Sequence, residues 1–205
     1  MTDLDVFLPS IMPYAPGCPE PTAFAAIINA AQQFCERTRL WRDADCFEVT
    51  GDDCNVVCVP EGAELLEIES ATFNDQPIDP IAYADLQRDY PTWRTHDGDP
   101  RFVSQASMDS IVLAPRGHGG KLHLSLYLKP TNEAEQLPDF LSKHYLRVIA
   151  DGALGEILML PLQSFSDPER AQFYALRFSQ RLDSLSTRNI KGQQRAPART
   201  RPSFF

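Results

Sequence analysis

Apolar positions recur at two different periods along this chain, and the switches between them mark out its segments. Residues 1–21 follow neither period. They hold Pro9, Pro13, Pro16, Pro19 and Pro21, which lack the N–H that a ladder or helix needs, so the pattern predicts an extended lead-in. From Thr22 to Leu40 the apolar residues Phe24, Ile27, Ile28, Ala31, Phe34 and Cys35 fall at helical spacing and form one face. Glu20 and Thr22 are the expected N-terminal caps, with Pro21 tolerated in the first turn.

From Cys46 to Pro130 the period drops to two. Phe47–Val49 and Asn55–Val59 flank Gly51-Asp52-Asp53, which predicts a hairpin. Leu65 to Phe73 alternates and is followed by an Asn74-Asp75 turn. Ile81 to Tyr90 reads as a short helical or irregular excursion. Arg101–Gln105, Ser110–Leu113 and Lys121–Leu128 read as strands. In the last, Leu122, Leu124, Leu126 and Leu128 share one face, and His123, Ser125 and Tyr127 share the other. These short strands predict a small antiparallel sandwich or open barrel.

The helical period then returns. Pro138 to Leu160 carries a stripe of Leu141, Tyr145, Val148, Ile149, Gly152, Ala153 and Ile157. Glycine inside a helix costs up to ~1 kcal/mol relative to alanine, so Gly152 implies a close crossing with another helix. Ser166-Asp167-Pro168-Glu169 signals a new helix start, and Ala171, Tyr174, Ala175, Phe178, Leu182 and Leu185 give its stripe. The expected fold class is α+β. A three-helix core (22–42 and 138–187) packs through Phe24, Ile28, Phe34, Gly152, Ala153 and Phe178. An antiparallel β module (43–137) is inserted into it, and an extended C-terminal arm (188–205) follows.

Charge changes the picture at the arm. The chain carries −9, yet Arg188, Lys191, Arg195, Arg199 and Arg201 all follow Ser186, with no acid among them. The first 185 residues therefore carry −14. The arm has no apolar periodicity and ends Pro202-Ser203-Phe204-Phe205, so it builds no core of its own. Free phenylalanines have no role in solvation, which points to ordering on a partner. An acidic body disfavours phosphate backbones everywhere except at this arm.

Catalytic and metal chemistry find no constellation. The histidines His96, His118, His123 and His144 are dispersed, and His118 and His123 lack further ligands at metal spacing. Gly117-His118-Gly119-Gly120-Lys121 lacks the strand–loop–helix context of a phosphate loop, and Asp97-Gly98-Asp99 lacks a downstream bidentate glutamate. Ser104, Ser107 and Ser110 have no nucleophile elbow. The five cysteines Cys18, Cys35, Cys46, Cys54 and Cys58 read as free thiols, with Cys54 and Cys58 on one strand parity. No cofactor and no metal is expected. No apolar run nears the ~18 residues of a membrane span, and Met1 to Ser10 has no basic region of a secretory signal.

Two segments together resemble the head-to-tail adaptor (connector) proteins of tailed bacteriophages. The stretch Ile27-Ile28-Asn29-Ala30-Ala31-Gln32-Gln33-Phe34-Cys35-Glu36-Arg37-Thr38-Arg39-Leu40-Trp41-Arg42 resembles their first helix. Gly152-Ala153-Leu154-Gly155-Glu156-Ile157-Leu158-Met159-Leu160-Pro161, with Asp167-Pro168-Glu169 and Tyr174-Ala175-Leu176-Arg177-Phe178, resembles their later helix pair. The resemblance implies a structural, non-enzymatic virion protein at the head–tail junction, made in the host cytoplasm. It implies a ring, usually dodecameric, beneath the portal, with neighbouring adaptor subunits and a downstream tail or nozzle protein as partners. Double-stranded DNA would pass through without specific binding, and no membrane is involved. The arm residues Arg188, Lys191, Arg195, Arg199, Arg201, Phe204 and Phe205 would dock into the portal protein. Two other readings stay open from the residues alone. One is an enzyme whose site one sequence does not reveal. The other is a carbohydrate- or peptide-binding β module with Tyr90 and Trp93 as an aromatic platform.

Overall fold

A computed structural model describes residues 1–50, 55–96, 98–116 and 119–190, the side chains of 187–190 apart. Along the chain the elements are β1 (Thr2–Asp3), a 3-10 helix (Leu4–Ser10), α1 (Glu20–Thr38), β2 (Arg42–Val49), β3 (Val56–Val57), β4 (Ala63–Phe73), β5 (Gln76–Pro80), α2 (Tyr83–Asp89), β6 (Phe102–Gln105), β7 (Ser110–Ala114), β8 (Gly120–Pro130), β9 (Gln136–Leu137), α3 (Asp139–His144), α4 (Leu146–Ile157) and α5 (Pro168–Ile190). The class is α+β, and the chain divides into a helical unit, Met1–Leu40 with Leu137–Phe205, and a β unit, Trp41–Gln136.

In the helical unit, α4 packs against both α1 and α5, and α1 also meets α5. The unit holds more than three helices. The 3-10 helix lies on α1 and α4, and α3 lies on α4. The lead-in is therefore not extended as its prolines suggested. Phe7 and Ile11 are fully buried, and their burial folds residues 4–17 into 3-10 and turn structure, with Pro9 inside the 3-10 helix. The expected side-chain cap of α1 is also absent. Pro19 is its N-cap and makes no side-chain hydrogen bond. At the other end, Arg39 adopts a left-handed φ of 50° and donates its N–H to the Cys35 carbonyl.

The single helix expected from Pro138 to Leu160 is two helices. Between α3 and α4, Tyr145 leaves helical geometry at φ −126°, ψ 11°. Its ring lies 4.8 Å from that of Phe34 on α1, so an aromatic contact with another helix accompanies the break. The start of α5 follows the sequence signal. The Asp167 carboxylate accepts the Arg170 N–H at 3.1 Å, and Pro168 is the first residue of the helix.

The β unit is one seven-stranded sheet in the order β2-β8-β4-β5-β6-β7-β3. It is mixed, which corrects the expected antiparallel module. Strands β5 and β6 pair in parallel, Asp79 opposite Phe102 and Pro80 opposite Val103. A parallel pair needs a crossover rather than a tight turn, and residues 81–101, carrying α2, supply it. The hairpin expected around Gly51-Asp52-Asp53 does not form either. Its two strands are the opposite edges of the sheet, because β2 pairs with β8 and β3 pairs with β7. The Asn74-Asp75 turn does form, with φ of 49° and 64°, the two left-handed residues of a two-residue hairpin. The leucines of β8, Leu122 to Leu128, are all buried. On its other face, Ser125 and Tyr127 donate to Glu69 at 2.5 and 2.8 Å, and Arg42 Nε donates to it at 2.6 Å.

Candidate functional site

The charge of the chain is divided between its units. Counted from the sequence, the β unit carries −11 and the helical unit +2, which together make −9. The +2 includes the +5 of residues 186–205, so the rest of the helical unit carries −3, yet its cations are not evenly spread. Arg147 on α4 and Arg177 and Arg181 on α5 line one cavity of about 410 Å³, with His144 and Asp151 beside them. Arg177 and Arg181 are four apart, so they share a helix face. The Arg177 guanidinium holds the Asp151 carboxylate in a two-pronged pair, with Nε to Oδ2 at 2.7 Å and Nη2 to Oδ1. Asp151 is buried and Arg177 is half exposed. The hydrogen bond to Asp151 raises the pKa of Arg177, while burial opposes it.

The same guanidinium stacks on Phe173 and Tyr174, 5.4 Å from each ring. Tyr174 meets Tyr14 edge-on at 6.2 Å. Phe173 and Leu176 on α5, and Met159 and Leu162 in the loop before it, stay exposed, Leu162 completely. Leu162 also has a left-handed φ of 59°, which a leucine rarely adopts. Scattered exposed apolar residues are ordinary, and Leu162 combines full exposure with a strained backbone.

The structure places the expected packing residues as follows. Phe34 and Ala153 are fully buried, Ile28 and Phe178 are buried, and Phe24 is half-buried. Gly152 sits where a Cβ would come 2.8 Å from Ala30 Cβ and 3.0 Å from the Phe178 ring. A Cβ on Gly155 would lie 3.1 Å from the Ala175 backbone nitrogen. Of the arm residues, Arg188 falls in the last turn of α5, which continues to Ile190 where an extended arm was expected. Lys191, Arg195, Arg199, Arg201, Phe204 and Phe205 lie outside the described residues, as do His118, Asp97 and Cys54.

The aromatic platform expected of Tyr90 and Trp93 is not built. Trp93 is buried in a cluster with Leu86, Val112 and Ala114, and of the two only Tyr90 is exposed. Among the described residues no group of three or more His, Cys, Asp or Glu could hold a metal ion. Sequence reasoning missed one pair: Cys46 and His123 face each other across β2 and β8, Sγ to Nε2 at 3.7 Å. It also missed the arginine cavity, whose sequence signal is the i, i+4 pair Arg177 and Arg181.

A family model described as SU10 adaptor protein matches residues 7–202, nearly the whole chain. The chain belongs to this family. It is therefore a phage adaptor protein. No curated protein matches it. The family match begins within the 3-10 helix and takes in α1 to α5 and the whole β unit, so both units fall within the matched region. Among the described residues no helix is long and apolar enough to cross a membrane.

Proposed function

We propose that this adaptor joins the portal to the tail as a ring, dodecameric as the resemblance implies, and lines the DNA exit channel. The observation that carries the reading is the family match over both units. The charge supports it: an acidic lining repels phosphate, so DNA slides rather than adheres. The role is structural, at the head–tail junction of the virion, after synthesis in the host cytoplasm. The helical unit provides the scaffold of the ring, with heterologous contacts between neighbours and a tail or nozzle protein below. The arm reaches the portal. There Arg195, Arg199 and Arg201 pair with carboxylates through bidentate forks, and Phe204 and Phe205 fill apolar pockets.

Mixing the chain with portal protein and imaging the product tests the ring. An isolated one-to-one complex would contradict it. Deleting Ser203 to Phe205 tests the arm, because it removes no basic residue. Portal binding should be lost. If binding survives, and Arg199→Glu with Arg201→Glu abolishes only DNA retention, the arm is a DNA clamp instead.

A further inference from the structure

The arginine cavity between α4 and α5 faces solvent with more positive charge than the helical unit uses. Arg177 is committed to Asp151. Arg147 and Arg181 line the same cavity, and neither has a carboxylate partner among the described residues. Uncompensated cations around a cavity attract a carboxylate, and arginine holds one with two parallel bonds.

The complementary group is on the chain itself. Strand β2 is the first strand of the sheet order and pairs on one side only, with β8. It carries Asp43, Asp45 and Glu48. Asp45 and Glu48 are exposed and Asp43 is half exposed. Asp43 and Asp45 point to one face of the strand, about 7 Å apart. Glu48 lies on the other face, opposite Lys121 of β8, and neither Asp43 nor Asp45 has an ion-pair partner among the described residues. An open strand edge with acids along it avoids pairing with a like edge and remains available to a basic surface.

We propose that the cavity lined by Arg147, Arg177 and Arg181 on one copy receives the acidic β2 edge of a second copy. Two unlike surfaces of one chain then meet head to tail, the geometry that lets copies repeat around an axis. The inference deepens the ring reading by naming the surfaces that neighbours share, and it rests on that reading only for the number of copies. The contact is electrostatic and partly exposed, so it is weak in isolation and weakens with salt.

Two full-length variants test it. One reverses the cavity, Arg147→Glu with Arg181→Glu, and the other reverses the edge, Asp43→Lys with Asp45→Lys and Glu48→Lys. Sedimentation equilibrium at low salt reads the association. Each variant alone opposes like charges, so its self-association should fall at least tenfold below wild type. Mixed together they should associate, because the unaltered edge of the first meets the unaltered cavity of the second. That pairing also shows that both are folded. Self-association of either variant at the wild-type level, or failure of the two to pair, overturns the proposal. So does a cavity variant that loses duplex DNA binding while the two variants fail to pair, since the arginines would then be a phosphate seat. If the variants pair as expected but portal protein gathers no ring, the contact stands and the ring reading fails. If rings form whether or not the cavity is reversed, the ring stands and the contact does not.

Discussion

Replacing Gly152 probes a close approach of α4 to α1 and α5. A Cβ there would stand 2.8 Å from Ala30 Cβ on α1 and 3.0 Å from two carbons of the Phe178 ring on α5. Neither neighbour can swing out into solvent. Ala30 Cβ is fixed to a helix backbone, and Phe178 is buried. Overpacking of this kind costs typically ~1–3 kcal/mol. Against it stands the ~1 kcal/mol gained by removing a glycine from a helix interior. Gly152→Ala should therefore lose about 1 kcal/mol net. Gly152→Leu adds three further carbons and should lose about 3 kcal/mol, a urea midpoint lower by roughly 1–2 M at an ordinary slope. Urea denaturation followed by circular dichroism measures both. The contact predicts a coupling as well. Ala30→Gly alone should destabilise through helix propensity, but combined with Gly152→Ala it should cost at least ~0.5 kcal/mol less than the two changes summed. Wild-type stability in Gly152→Leu, or strict additivity with Ala30→Gly, would refute the packing argument.

Three further outcomes are expected. Asp151→Ala leaves Arg177 without its two-pronged partner between α4 and α5, and should lower thermal stability by about 1–2 kcal/mol, less than a fully buried pair because Arg177 is half exposed. Asp167→Ala removes the cap that accepts the Arg170 N–H and should cost about 1 kcal/mol, read as a lower melting temperature; an unchanged value would mean that Pro168 alone starts α5. The Cys58 thiol is pushed up to about 11 by burial, with the Asp109 charge adding and a backbone hydrogen bond opposing. Because the folded value is raised, this thiol's contribution to stability is complete below the unfolded value near pH ~8.5 and falls away as pH rises toward 11. Cys58→Ala should flatten that alkaline decline, and mass-resolved labelling at neutral pH should modify exposed Cys46 well before buried Cys18, Cys35 and Cys58.

The sequence carried local structure well where one face of an element is buried. The leucine alternation of β8, the stripe of α5 and its Asp167 start are all visible in the residues, because burial and capping act over a few positions. The Asn74-Asp75 turn is legible for the same reason. Pairing is different. Gly51-Asp52-Asp53 marks a change of direction, but nothing local says that β2 prefers β8 to β3, since a strand's partner is chosen by faces far away in sequence. The parallel pairing of β5 with β6 is likewise a property of the crossover through α2. Tyr145 keeps its place in the helical stripe, yet its break accompanies a contact with Phe34, about a hundred positions earlier in the chain. Of the candidate interface, the charge asymmetry was legible and its distribution was not. The arm's arginines stand together in the sequence, whereas Arg147 joins Arg177 and Arg181 only when α4 and α5 pack.

The interruption of the helical unit by the β unit has a kinetic consequence. Helix α1 ends at Thr38, and α4 and α5, against which it packs, begin only after the whole of Trp41–Gln136. While that stretch is unfolded, bringing α1 to α4 closes a loop of roughly a hundred residues, at an entropic cost of about 4 kcal/mol. The β unit is continuous in sequence and needs only its own closures, the widest being β2 on β8 across about 70 residues. It can therefore fold early, and its completion draws the ends of the interruption together, as the Leu128 N–H to Trp41 carbonyl bond at 2.9 Å already begins to do. A defect in the sheet should then slow the assembly of the helical unit.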